Sequence, residues 1–126
     1  MKPCIGERFF LTYTHHNNTI AVMLELCVRS GATTRMPEFK AFANNLCHHI
    51  AGHEPEDIDV LMEQPYALDQ DLTVTDYIKQ HASLWQERIR IMRFVRWSHE
   101  DPQQWSEEEP TPPKGSAVVK RLKVLK

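Results

Sequence analysis

Five apolar residues at every second position, Ile20, Val22, Leu24, Leu26 and Val28, constrain this chain more than anything else in it. Strict period two puts all five on one side of a strand, and that side has to lie on a core. The preceding run ERFFLTYT, residues 7–14, is aromatic and β-favouring, and HHNN at 15–18 separates the two runs. Asparagine tolerates left-handed backbone angles, so Asn17 and Asn18 suit the turn of a β-hairpin.

Helical signals follow. Pro37 fits a first helical position, where its missing N–H costs little. Phe39, Phe42, Ala43, Leu46 and Ile50 then recur at helical spacing, with Gly52 as the predicted stop. Residues 55–63 read equally as a short helix or an extended piece. Gln64-Pro65-Tyr66 breaks any helix, because proline restricts the residue before it. Thr73 and Asp76 form a capping-box pattern that opens a second helix over 73–85, with Val74, Tyr77, Ile78, Ala82 and Trp85 as its apolar face. Residues 88–97, RIRIMRFVRW, read as a strand whose alternation slips at Met92-Arg93, which a bulge accommodates. The order β-β-α-(short)-α-β predicts an α+β fold, an antiparallel sheet with helices packed on one face.

At 126 residues, one domain is expected. A net charge of −2 selects no partner, but the distribution is uneven. Residues 100–113 hold five acids and no base, and residues 114–126 hold five bases and no acid. The reading therefore divides the chain into a core over 5–99, an acidic, proline-rich linker over 100–113 and a basic tail over 114–126. No apolar run approaches the ~20 residues that span a bilayer, and MKPCIGERFF lacks the apolar core of a signal peptide. Three cysteines at irregular spacing make no disulfide framework, so free thiols in a reducing compartment, the cytosol, are expected.

Chemistry-bearing clusters are few. Cys47, His49 and His53 have a zinc-like look, but without a second ligand pair His48, His49 and His53 read as helix-end histidines facing the C-terminal dipole. Arg88, Arg90, Arg93 and Arg96 read as a structural strand, with Glu87, Glu100 and Asp101 as pairing acids, in preference to a phosphate site. Lys114, Lys120, Arg121, Lys123 and Lys126 interleave with Val and Leu, a pattern that suits RNA phosphates. No phosphate loop, metal cluster or nucleophile context is present. The expectation is no enzyme, no catalytic residues, no metal, no cofactor and no membrane contact.

Two blocks resemble the core, or dimerisation, domain of translation elongation factor Ts, the guanine-nucleotide exchange factor for elongation factor Tu. The first is YTHHNNTIAVMLEL (13–26) with PEFKAFANNLCHHIA (37–51). The second is VLMEQPYALDQDLTVTDYIKQ (60–80) with IRIMRFVRW (89–97). Together they cover most of residues 7–99 in the family's order. The resemblance implies that family's α+β core, binding to elongation factor Tu, and a homodimer. It places a partner contact at the turn residues His15, His16 and Asn17, and another at the loop over 29–35. There the family's Thr-Asp-Phe-Val intrudes into elongation factor Tu near its magnesium. Counting without gaps, those positions are Ser30, Gly31, Ala32 and Thr33 here, and only Arg35 matches the neighbouring pattern. The carboxylate and the ring are missing, so weak or lost exchange is implied. The chain also starts almost at the first strand, without the family's leading helical module. Gly52 to Val60 bypasses the helical segment that normally joins the two blocks. The alternative is a ribosome-associated protein that uses the core as a binding module among ribosomal proteins and the tail on rRNA, in the cytoplasm or an organellar matrix.

Overall fold

The computed structural model describes residues 3–102. Strands β1 (Glu7–His15) and β2 (Ile20–Val28) form the expected hairpin, and β5 (Ile89–Ser98) pairs with the other edge of β2. Both pairings are antiparallel. Left-handed angles at the turn extend over His16, Asn17 and Asn18. The register jumps from Leu26↔Ile91 to Glu25↔Arg93, so Met92 is the extra residue of the bulge expected there.

Four helices accompany the sheet: α1 (Gly31–Thr34), α2 (Pro37–His53), α3 (Ile58–Glu63) and α4 (Val74–Leu84). Helix α2 lays Phe39, Phe42, Ala43, Leu46, Cys47 and Ile50 against Val22, Leu24, Leu26 and Val28, all buried. The fold is the α+β arrangement read from the sequence, a helix-covered antiparallel sheet. The capping box of α4 is present: Asp76 N donates to Thr73 Oγ1 and Thr73 N to Asp76 Oδ2.

Two expectations change, and two stretches that the sequence left open take a definite form. Helix α2 runs through Gly52 to His53 and stops at Glu54, which adopts the left-handed region (φ 49°) and donates its N–H to Ile50 O. Open space surrounds Gly52, so nothing there forces a break. The undecided stretch becomes α3, capped by Asp57, whose Oδ1 accepts from Val60 N at 2.9 Å. The stretch from Pro65 to Thr73 is a small hairpin of β3 (Pro65–Tyr66) and β4 (Asp69–Thr73). Finally, Cys4 and Cys27 form a disulfide, and only Cys47 is a free thiol. Gly6 permits this: a Cβ there would collide with the Val28 carbonyl, so only glycine lets the chain turn back over the strand end. A formed disulfide removes the thiol argument for a reducing compartment. Burial pushes the Cys47 thiol up to about 12. Among the described residues, no helix is long and apolar enough to cross a membrane.

Candidate partner-binding surface

The segment after β2 is a capped helical turn in place of the open loop expected over 29–35. Ser30 Oγ accepts from Ala32 N at 3.2 Å, Thr34 Oγ1 donates to Gly31 O at 2.7 Å, and Arg35 N closes the turn on Ala32 O. Its anchor is Glu87, at the entrance to β5. One carboxylate oxygen accepts from Arg29 N (2.7 Å) and Arg88 N (2.8 Å), the other from Ser30 N (3.2 Å) and Thr33 Oγ1 (2.7 Å). Burial acts to raise the Glu87 pKa. The Thr33 hydroxyl and the N–H groups of Arg88, Arg29 and Ser30 outweigh it and leave the carboxyl below the usual range. Thr33 therefore faces inward, while Ser30, Ala32 and Arg35 are exposed and Gly31 is half-buried. No sequence signal marks Glu87, because three of its four partners lie more than fifty residues away in the chain.

At the hairpin tip, His16 and Asn17 are exposed, and His15 accepts or shares a 2.7 Å hydrogen bond with the Tyr13 hydroxyl. The His15 ring lies 5.4 Å from that of His48 on α2. Burial, with His16 and His48 nearby, holds His15 below the ordinary imidazole range. The structure does not bring the tip and the helical turn together. They sit at opposite ends of the nine-residue β2, about 26 Å apart at the usual strand rise. Lys114, Lys120, Arg121, Lys123 and Lys126 lie outside the described residues.

The other singled-out residues have structural partners. His49 is fully buried: Ala67 N–H donates to its Nδ1 (3.1 Å), so Nε2 carries the proton toward Gln64 Oε1 (2.8 Å). Burial pulls its pKa down against the Gln64 hydrogen bond. It is a core residue joining α2 to the Gln64-Pro65-Tyr66 segment, in place of the helix-end role expected from its position. Both ring nitrogens are engaged, and among the described residues no group of three or more His, Cys, Asp or Glu is arranged to hold a metal. The strand arginines pair with acids other than those expected. Arg8 Nε and Arg93 Nε each reach the buried Glu25 carboxylate at 2.6 Å, and Arg96 reaches Glu54 at 3.1 Å. The Arg8 hydrogen bond is the largest cause holding Glu25 below the usual carboxylate range, with Arg93 adding to it against burial.

The fold defines a class, a helix-covered antiparallel α+β domain. Comparison with known proteins narrows it. No protein-family model matches the chain. It is 27% identical over 135 aligned positions to elongation factor Ts of Fervidobacterium nodosum, covering 71% of this chain and 68% of that one. It is 26% identical over 138 positions to the chloroplastic elongation factor Ts of Phaeodactylum tricornutum, covering 73% and 68%. Against elongation factor Ts of Nostoc sp. it is 29% identical over 90 positions, covering 71% of this chain and 28% of that one. The chain carries an elongation factor Ts-like domain, and these similarities support a translation elongation factor-like role.

Proposed function

We propose that this domain binds elongation factor Tu in the cytoplasm or an organellar matrix, with weak or lost guanine-nucleotide exchange activity. The similarity to elongation factor Ts supports the partner. The observation that carries the rest is the exposed helical turn after β2, which offers Gly31 and Ala32 where the resemblance implies an acid and an aromatic ring. A factor speeds nucleotide release only through contacts that favour the loose state over the tight one. A glycine and a methyl group supply little of that difference. Glu87 still fixes the turn, so Ser30, Ala32 and Arg35 form a rigid contact without a wedge.

The turn can take the missing groups. A Cβ on Gly31 meets the Glu7 side chain at 3.4 Å and Arg35 Nη1 at 3.5 Å, both flexible, and Ala32 is exposed. Gly31→Asp with Ala32→Phe should speed nucleotide release from elongation factor Tu at least about tenfold over the parent, or ~1.4 kcal/mol off the release barrier. Stopped-flow release of a fluorescent guanine nucleotide measures it. A folded double variant that binds elongation factor Tu with no acceleration would overturn the reading of the turn. A parent chain that fails to bind would overturn the partner.

A further inference from the structure

The disulfide sits beside the candidate turn at both of its ends. Cys27 closely precedes Arg29, whose N–H is one of the donors on Glu87. Cys4 closely precedes Glu7, the first residue of β1, which pairs with Val28. Between Cys4 and Glu7 the chain crosses the strand end at Gly6, where the Val28 carbonyl leaves no room for a side chain. Glu7 is thus tied on both sides, by the ladder that follows it and by the disulfide that precedes it.

What this tie holds in place is a carboxylate. Gly31 has no side chain, and Glu7 lies against it. The Glu7 Cγ and Cδ are 3.4 and 3.5 Å from the point a Cβ on Gly31 would occupy, and Arg35 Nη1 is 3.5 Å from the same point. Glu7 and Arg35 are both exposed, and among the described residues neither forms an ion pair. The turn therefore presents an acid supplied by β1 and a base of its own, next to the exposed Ala32. A partner suited to it offers a cation or N–H donors to Glu7 and a carboxylate to Arg35.

The first residue of a strand frays readily unless it is anchored, and this anchor can be undone chemically. Cys4 is half-buried and Cys27 is buried, so a small-molecule thiol reaches the Cys4 sulfur first. Its thiolate attacks Cys4 Sγ, the bond to Cys27 breaks, and Cys27 leaves as a thiolate that takes a proton. A second thiol attacks the reagent's sulfur in the mixed disulfide, and Cys4 leaves in the same way. Two small thiols end as one disulfide, and the protein ends with two cysteines. Cys47 takes no part: burial pushes its thiol up to about 12, so it supplies no thiolate.

We propose that Glu7 belongs to the partner-binding surface and that the Cys4–Cys27 disulfide is its redox switch. Oxidised, the bond holds the Glu7 carboxylate over Gly31 beside Arg35. Reduced, the segment before β1 comes free and the carboxylate leaves the turn. The inference rests on the proposed binding of elongation factor Tu and adds the control of that surface.

The test measures the affinity of the full chain for elongation factor Tu by fluorescence, oxidised and after reduction with dithiothreitol, at low salt, where exposed charges are least screened. Exposed charge pairs are worth a factor of a few, so reduction should weaken binding about threefold. Cys4→Ser with Cys27→Ser, which removes the bond without a reductant, should match the reduced chain. Glu7→Gln keeps the bond; it should weaken the oxidised chain by a similar factor, and reducing that variant should then change nothing. In the chain alone, amide hydrogen exchange over residues 7–9 should quicken on reduction while α2 keeps its protection. Equal affinity in both redox states would overturn the inference. So would an undiminished effect of reduction in Glu7→Gln, since the carboxylate then plays no part. Loss of protection in α2 would overturn it too, because the bond would then hold the whole fold and not one strand end. An oxidised parent that does not bind elongation factor Tu at all is a different result: it would overturn the reading of the partner, and this inference with it.

Discussion

At the scale of single residues, Glu87 governs the candidate surface without belonging to it. Four hydrogen bonds converge on one carboxylate and fix the turn that carries Ser30, Ala32 and Arg35. Glu87→Gln keeps the shape but turns an amide N–H₂ toward donors that need an acceptor. An unsatisfied buried donor costs on the order of 2 kcal/mol. Denaturant unfolding should show that loss, and hydrogen exchange at Arg29 and Ser30 should quicken while the amides of α2 keep their protection. Nothing in the sequence marks this residue; it looked like one more acid near a basic strand. Its role depends on the close of α4 meeting the end of β2, which no local pattern encodes. The same holds for Glu25, which period two leaves among apolar residues and which only the flanking strands supply with Arg8 and Arg93.

The elements divide by how local their causes are. All three long strands, α2, α4 and the bulge at Met92 were legible because periodicity and capping act within a few residues. Thr73 and Asp76 show this most directly, and Thr73→Ala should cost about 1 kcal/mol by thermal or chemical unfolding, since the cap satisfies an otherwise orphaned N–H. The β3–β4 hairpin was not legible: Asp69–Thr73 is polar and mostly exposed. Its place comes from tertiary contacts, Ala67 N on His49 and Val74 N on Gln64 O. The overrun of α2 past Gly52 has a similar origin. A helical glycine costs roughly 1 kcal/mol against alanine, and burial of Ile50 and Ala51 offsets that. Of the candidate surface, its position between β2 and α2 could be read beforehand, but its helical form and the inward turn of Thr33 could not.

For the whole molecule, acid should act in two stages. His49 is buried with its pKa lowered, so the unfolded chain binds protons first as pH drops below about 6.5, the ordinary imidazole value; stability falls from there. Glu25 and Glu87 have lowered folded pKa values, so their stabilisation is present above the ordinary carboxylate pKa near ~4.3 and fades as pH falls below it. Urea unfolding across pH 8 to 3 should trace both stages, and His49→Gln should shrink the upper one to the part that His15, also held low, contributes, with the lower unchanged. The disulfide bears on a different property. Strand β1 enters the sheet beside Val28, and β5 leaves it beside Ile20, at the opposite end. Tension along the backbone thus slides each outer strand along β2, so the rungs of both ladders carry load together and do not unzip singly. Cys4 is riveted to Cys27 where β1 enters, so a pull on the preceding segment passes into the central strand itself, and the sheet is built to resist stretching from either side.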